Sequence, residues 1–481
     1  MMQTTHSPRT LGAALAALML AGCSFIPAYE RPSAPVPTSY PATVPTDTAG
    51  AKPAADIRWQ DYFTDPRLQS LIQLALENNR DQRVAVLRVE QARAQFDIQR
   101  ANEYPTLSGI GNFTRQPSTT TGKYGSVWQV GAGITSWEID FFGRVAALKE
   151  QALAQYLSTD EARKSGQISL VSAVASGWLA LMSDEELLDL SRRTLQTREE
   201  SVKLTQLRLD NGVSSELDLR QAESLAQQAR ATLAQQERQR MQDENALVLL
   251  VGQPLPDEVR ASLAASRLAK AAPMQPLPAG LPSDLLQHRP DISAAEQQLI
   301  GANANIGAAR AAFFPRISLT AQLGTVSTEL SGLFKSGSWA FSFAPQAVVP
   351  IFDAGRNQAN LAAAQVGRDI AVAQYEKSIQ TAFREVADAL AGRATLQKQL
   401  DAQQAQAKSD TRRFELSDLR YRNGVASYLD LLDAQRSLFA SEQALVLTRL
   451  QQLQNQVALY KVLGGGWNAA PDDQVAANAR Q

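Results

Sequence analysis

The sequence predicts a mainly α-helical, internally duplicated chain that also carries four β-strands. Three observations predict it. First, the stretch Leu207-Arg208-Leu209-Asp210-Asn211-Gly212-Val213-Ser214-Ser215-Glu216-Leu217-Asp218-Leu219 returns as Leu419-Arg420-Tyr421-Arg422-Asn423-Gly424-Val425-Ala426-Ser427-Tyr428-Leu429-Asp430-Leu431, displaced by 212 residues. The same offset relates Ala246 to Ala458, Leu247 to Leu459 and Gly252 to Gly464. Solenoid units run roughly 20–50 residues, so a period this long is a duplicated half-protein. Second, each half holds two segments with period-two patterning. Third, each half holds a proline-free run of 67 residues, Arg144 to Asp210 and Arg356 to Arg422.

In chain order, residues 1–22 read as a signal peptide. Arg9 is its basic region, and Leu11 to Ala21 is an apolar run too short to span a bilayer as a helix. It ends Leu20-Ala21-Gly22-Cys23, which resembles a bacterial lipobox, with Cys23 as the lipid attachment point and Ser24 following. Residues 23–55 carry seven prolines from Pro27 to Pro53 and read as an extended tether with no core of its own. Residues 56–252 form the first repeat. A proline-rich connection at 253–282 leads to the second repeat at 283–464, and residues 465–481 read as a flexible tail.

Strands are expected at about 105–115 and 127–140, then at about 315–327 and 338–352. Trp128, Val130, Ala132 and Ile134 alternate with polar or small residues; so do Ile317, Leu319, Ala321 and Leu323, and Trp339, Phe341 and Phe343. A soluble sheet of two hairpins satisfies that pattern. A tilted membrane crossing of about 9–11 residues satisfies it too, and aromatics near the strand ends favour the crossing. Four strands do not close a membrane barrel, which needs at least about eight, and open edges are not viable in lipid. Strands that cross a membrane here must therefore share a barrel with other chains.

Each 67-residue run, as a single helix, would be about 100 Å long, which suggests coiled-coil-like packing. Asn211-Gly212 and Asn423-Gly424 supply left-handed residues that end these helices. Ser215-x-x-Asp218 and Ser427-x-x-Asp430 are capping boxes for the next ones. The tip turns are thus expected at 211–215 and 423–427.

Composition narrows the chemistry. Net charge is −1, which gives no overall field for nucleic acid. The two histidines are His6, in the leader, and His288; Cys23 is the single cysteine. A His/Cys metal site or a Cys–His nucleophile pair is excluded on that count. No cofactor motif is present, and the chain reads as a non-enzyme.

Several segments together resemble the TolC family of outer-membrane efflux factors, in its lipid-anchored OprM-type branch. They are the lipobox, Ala75-Leu76-Glu77-Asn78-Asn79-Arg80-Asp81, Trp137-Glu138-Ile139-Asp140-Phe141-Phe142-Gly143-Arg144, the stretch from Leu281 to Ile292, Ala311-Ala312-Phe313-Phe314-Pro315, and Leu432-Asp433-Ala434-Gln435-Arg436. The resemblance implies a homotrimer in the outer membrane of a Gram-negative bacterium. Four strands from each of three chains would make a twelve-stranded β-barrel, continued by an α-helical coiled-coil tunnel into the periplasm. It implies a passive channel of a tripartite efflux system, partnered by a periplasmic adaptor, an inner-membrane pump and outer-membrane lipid.

The same resemblance places a periplasmic gate at Leu429, Asp430, Asp433 and Arg436, with Arg436 within reach of Asp433. Asp430 also has the ordinary role of a helix cap. Asp433 lies outside the capping box, and the first half has Gln221 there. Asp218, Tyr421 and Arg422 are the implied members of a network tying neighbouring hairpins. Asn211, Gly212, Val213, Ser215, Asn423, Gly424, Val425 and Ser427 are the implied adaptor contacts. Other functions remain open at this point: a channel for protein secretion or metal export, and a lipoprotein scaffold without a pore.

Overall fold

The computed structural model describes residues 24–40, 52–117, 122–278, 285–286 and 288–467. The expected signal peptide, Cys23, part of the tether and the tail beyond Trp467 lie outside the described residues. The principal helices are α1 (Pro66–Asn78), α2 (Arg80–Ala101), α3 (Arg144–Asp210), α4 (Glu216–Val251), α5 (Asp257–Leu263), α6 (Pro290–Ala311), α7 (Arg356–Arg422) and α8 (Tyr428–Val462). The strands are β1 (Leu107–Pro117), β2 (Tyr124–Ile139), β3 (Arg316–Ser327) and β4 (Trp339–Val348). Helices α3 and α7 each run 67 residues without a break. Two compact units interleave segments of both repeats, one holding the sheet and the other the hairpin turns.

In the first unit, the four strands form one antiparallel sheet in the order β1-β2-β3-β4. Directly opposed residues share a face, so the register sorts the side chains. One face carries Leu107, Phe113, Trp128, Val130, Leu323, Trp339, Phe341 and Phe343. It is largely open among the described residues: Phe341 and Trp339 are each 72% exposed. The other face carries Asn112, Gln129, Gln322 and Ser342, with Gln129 donating to Gln322 at 2.7 Å. On that polar face Gly131 opposes Gly324, and the backbones close in. A Cβ on Gly131 would sit 2.4 Å from the Leu323 carbonyl oxygen.

A bulge between Ile134 and Trp137 shifts the β2–β3 register, with Ser136 at φ 55°. It lets Trp137, an odd position, rejoin the apolar face. The strand expected over 338–352 ends at Val348, just before Pro350, which has no ladder donor. Pro345, on β4, the last strand of the chain's own sheet, lies opposite Leu319.

The segment expected as a free tether is docked at its start. Phe25 stacks on Phe314 at 4.6 Å, and Phe314 stacks on Phe142. Arg310 donates to the Phe25 carbonyl, and Asn303 donates to that of Pro27 at 2.8 Å. Tyr29 and Arg31 both donate to Glu296, Arg31 through two bonds of 2.7 Å. Residues 25–31 thus lie along α6. The apolar side chains between the prolines supply the contact that composition alone concealed.

In the second unit, Asp65 caps α1 by accepting from the Arg67 amide, with Pro66 at the first helical position. Leu71, Ile72 and Ala75 of α1 are fully buried; large apolar side chains of this kind contribute about 1.5–3 kcal/mol each. Tyr62 stacks flat on Tyr460 at 4.1 Å, and the Tyr460 hydroxyl donates to the Ile57 carbonyl. The first residues of the tail expected from 465 onward are packed: Gly465 and Gly466 are buried, and Lys164 sits 5.1 Å from the Trp467 ring.

Between α3 and α4, Asp184 is buried and accepts from Gln236 at 3.0 Å. Burial, then a hydrogen bond with Asp243 and that group's charge, push its carboxyl up to about 8. Unfolded, it loses its proton from its ordinary value of 3.8 upward. Folded, it keeps the proton, so this group costs stability progressively from that pH to about 8 and no more beyond. Asp184→Asn removes the cost. Thermal unfolding of the variant is expected at a higher temperature than wild type near pH 8, and at the same temperature below pH 4.

Candidate functional site

The two hairpin turns are built alike. At the end of α3 the Val213 amide donates to the Arg208 carbonyl and the Gly212 amide to that of Leu209. At the end of α7 Val425 reaches Arg420 and Gly424 reaches Tyr421. These paired bonds close a Schellman turn, whose left-handed residue is Gly212 (φ 69°) or Gly424 (φ 74°). Asn211 and Asn423 add side-chain bonds to the Leu207 and Leu419 carbonyls. Ser215 with Asp218 and Ser427 with Asp430 then form reciprocal capping boxes for α4 and α8. Val213, Val425 and Leu429 project at the turns, each more than 60% exposed.

The implied site residues divide by their surroundings. Asp430 is engaged in its box: its Oδ2 accepts from both the amide and the hydroxyl of Ser427. Asp218 is engaged in its own box, where its Oδ2 accepts from the Ser215 amide and from the Ser214 hydroxyl. Against the desolvation that would raise it, the Ser215 and Ser214 hydrogen bonds and the Arg208 charge hold the Asp218 carboxyl below its usual range. Arg422 pairs with Asp418 one turn back on α7, at 2.7 Å.

Tyr421 is buried beside Tyr428 in a cluster with Ala222, Leu225, Leu431 and Leu432. The Arg208 guanidinium lies 4.6 Å from the Tyr421 ring centroid and donates to its carbonyl at 3.1 Å. Arg208 therefore joins the first hairpin to the second. Its position in the repeat corresponds to Arg420, so nothing in the sequence singled it out.

The expected pairing of Asp433 with Arg436 does not occur. Asp433 pairs with Arg413 of α7, which also donates to Ser437 at 3.3 Å. The partner sits across the hairpin because Asp433 faces α7. A signal was there to find: the first-half equivalents of Asp433 and Arg413 are Gln221 and Ser201. Both members of the ion pair are special to the second half. A cavity of about 600 Å³ adjoins the pair, lined by Arg412, Leu416, Arg420 and Asp430 among others.

Helical hairpins capped alike, with a partial sheet that bares one apolar face, define a membrane channel subunit. The chain belongs to the outer membrane efflux protein family, which matches residues 71–253 and 281–465. It is 48% identical over 466 residues to the solvent efflux pump outer membrane protein SrpC of Pseudomonas putida, covering 95% of this chain and 98% of that one. It is 47% identical to the antibiotic efflux pump outer membrane protein ArpC of the same species, covering 95% of each. Among solved structures, the open state of the Neisseria gonorrhoeae MtrE outer membrane channel matches with a TM-score of 0.84. That match has 42% identity and covers 93% of this chain and 99% of that one.

Proposed function

We propose that three copies of this chain close their sheets into a twelve-stranded barrel in the outer membrane and conduct small molecules outward as the passive exit channel of a tripartite efflux system. The observation that carries this is the four-stranded sheet, apolar and bare on one face, polar on the other, with two open edges. One chain leaves both edges in lipid, where each unpaired backbone group costs several kcal/mol. Three chains pair every edge and enclose the polar face. The helices continue as a tunnel toward a periplasmic adaptor and an inner-membrane pump. No reaction is catalysed, and no cofactor or nucleic acid takes part.

The turns carry the proposed adaptor contacts, and Asp433 with Leu429 the proposed gate. Cys23 is the proposed lipid anchor. Similarity to solvent and antibiotic efflux proteins supports organic solvents and antibiotics as cargo.

The test is complementation. An efflux-deficient host expressing this chain with an adaptor and pump is expected to regain tolerance to toluene and to antibiotics. A chain that reaches the outer membrane as a trimer yet restores neither would overturn the transport reading. Cys23→Ser in the same host is expected to lose the acyl mass at the mature N-terminus. An unmodified N-terminal Cys23 in exported wild type would remove the anchor alone, since the sheet's apolar face does not depend on it.

A further inference from the structure

In the second unit a cavity of about 450 Å³ opens between α3, α7 and α8. Four of its walls are apolar: Leu190, Phe414, Leu438 and Phe439. Arg198 also lines it and is only 5% exposed. The Arg198 Nη1 donates to the Leu225 carbonyl at 3.1 Å, and the guanidinium lies 5.5 Å from the Phe439 ring centroid. Its Nε has no partner, and among the described residues no carboxylate lies within ion-pair distance. Burial disfavours its charged form, and the like charge of Arg436 adds to that.

The contrast with Arg289 is instructive. Arg289 is about as buried, yet it holds both Asp291 and Glu385. A buried charge without a counter-ion is costly, and proteins pair it. Beside Arg198, Gln435 is 7% exposed; its amide nitrogen donates to Ser201, but its Oε1 has no partner. The cavity therefore has among its walls a buried arginine without a counter-ion, next to apolar side chains.

We propose that this cavity binds a small amphipathic monoanion, an aromatic carboxylate, with its carboxylate on the Arg198 guanidinium and its apolar body against Phe414, Leu438 and Phe439. The acids at the rim, Glu200, Glu415 and Glu442, select against a second negative charge on the ligand. A bound carboxylate would link α3 to α7 and α8 just short of the turns. It would add a second link between the two hairpins, ten residues along α3 from the one that Arg208 makes.

The test is equilibrium dialysis of 1-naphthoate against the full-length trimer in lipid nanodiscs, with 1-naphthamide as the uncharged comparison. Naphthoate is expected to bind one site per chain, and naphthamide at least tenfold more weakly. Arg198→Met is expected to weaken naphthoate at least tenfold and leave naphthamide unchanged. Phe439→Leu, which keeps the cation, is expected to weaken both several-fold and serves if Arg198→Met does not assemble. Arg384→Met, on α7 and outside the cavity lining, is the control and should bind as wild type. Absence of saturable naphthoate binding to wild type would overturn the proposal, as it would if a neighbouring chain fills the cavity. Equal binding by Arg198→Met or by Phe439→Leu would overturn it too.

Discussion

Replacing Asp433 by alanine is expected to raise the conductance of the protein in planar bilayers several-fold, and Arg413→Ala is expected to do the same. The two side chains hold α8 to α7 across the second hairpin, in the half that carries the ion pair. Losing either frees the start of α8; Asp433→Ala also removes a carboxylate from the narrow end of the proposed tunnel, whereas Arg413→Ala leaves that carboxylate without its partner. Three chains would multiply the change around the axis. The double variant should conduct little more than either single one, because both remove the same link.

Leu429→Ala acts differently. Leu429 is 62% exposed and makes no polar link, so its loss should widen the opening sterically and add to Asp433→Ala. Asp430→Ala and Asp218→Ala chiefly remove helix caps, at about 0.5–2 kcal/mol each. Their effect should appear in thermal stability. If Asp433→Ala, Arg413→Ala and Leu429→Ala all insert normally and conduct as wild type, the constriction lies elsewhere.

Gly131→Val is expected to reduce assembled trimer in the outer membrane by more than tenfold. Its Cβ would meet the Leu323 carbonyl oxygen at 2.4 Å and the Gly324 Cα at 2.8 Å. Both are backbone atoms of the paired strand, so no side-chain rotation relieves the clash. The central β2–β3 pair would have to separate, and with it the continuity of the sheet. Gly324→Val should behave alike, since its Cβ would lie 2.3 Å from the Val130 carbonyl oxygen. Gly109→Val is the control: nothing lies within 4 Å of the added atom. Heat-resistant trimer on gels of outer-membrane fractions is the measurement. Wild-type amounts from Gly131→Val would show that the membrane form does not use this register.

Much of the architecture was legible because its signals are local. The long helices announce themselves by the absence of proline between a Gly-Arg step and an Asn-Gly turn. The hairpin ends are written in Ser-x-x-Asp. The apolar face of the sheet follows from alternation along each strand. What escaped depends on which way a helix faces. Asp433 has Arg436 three residues away and Arg413 twenty away. Sequence proximity favoured the first, and the phase of α8 against α7 chose the second. The bulge at Ser136 carries no glycine to mark it. The docking of residues 25–31 escaped because proline content reads as extension, and extension is what a chain lying along a helix requires.

That docked segment sets an order of events. Arg31 meets Glu296 across 265 residues, and Phe25 meets Arg310 across 285. Contacts so distant in sequence form late, after the entropy of closing the intervening loop has been met. Residues 25–31 can therefore take their place only after α6 has formed. Until then the apolar side chains of Phe25 and Ile26 lack the Phe314 ring and the Gly307 surface that cover them in the fold. Seating of this short segment therefore reports, from the other end of the sequence, that α6 is in place.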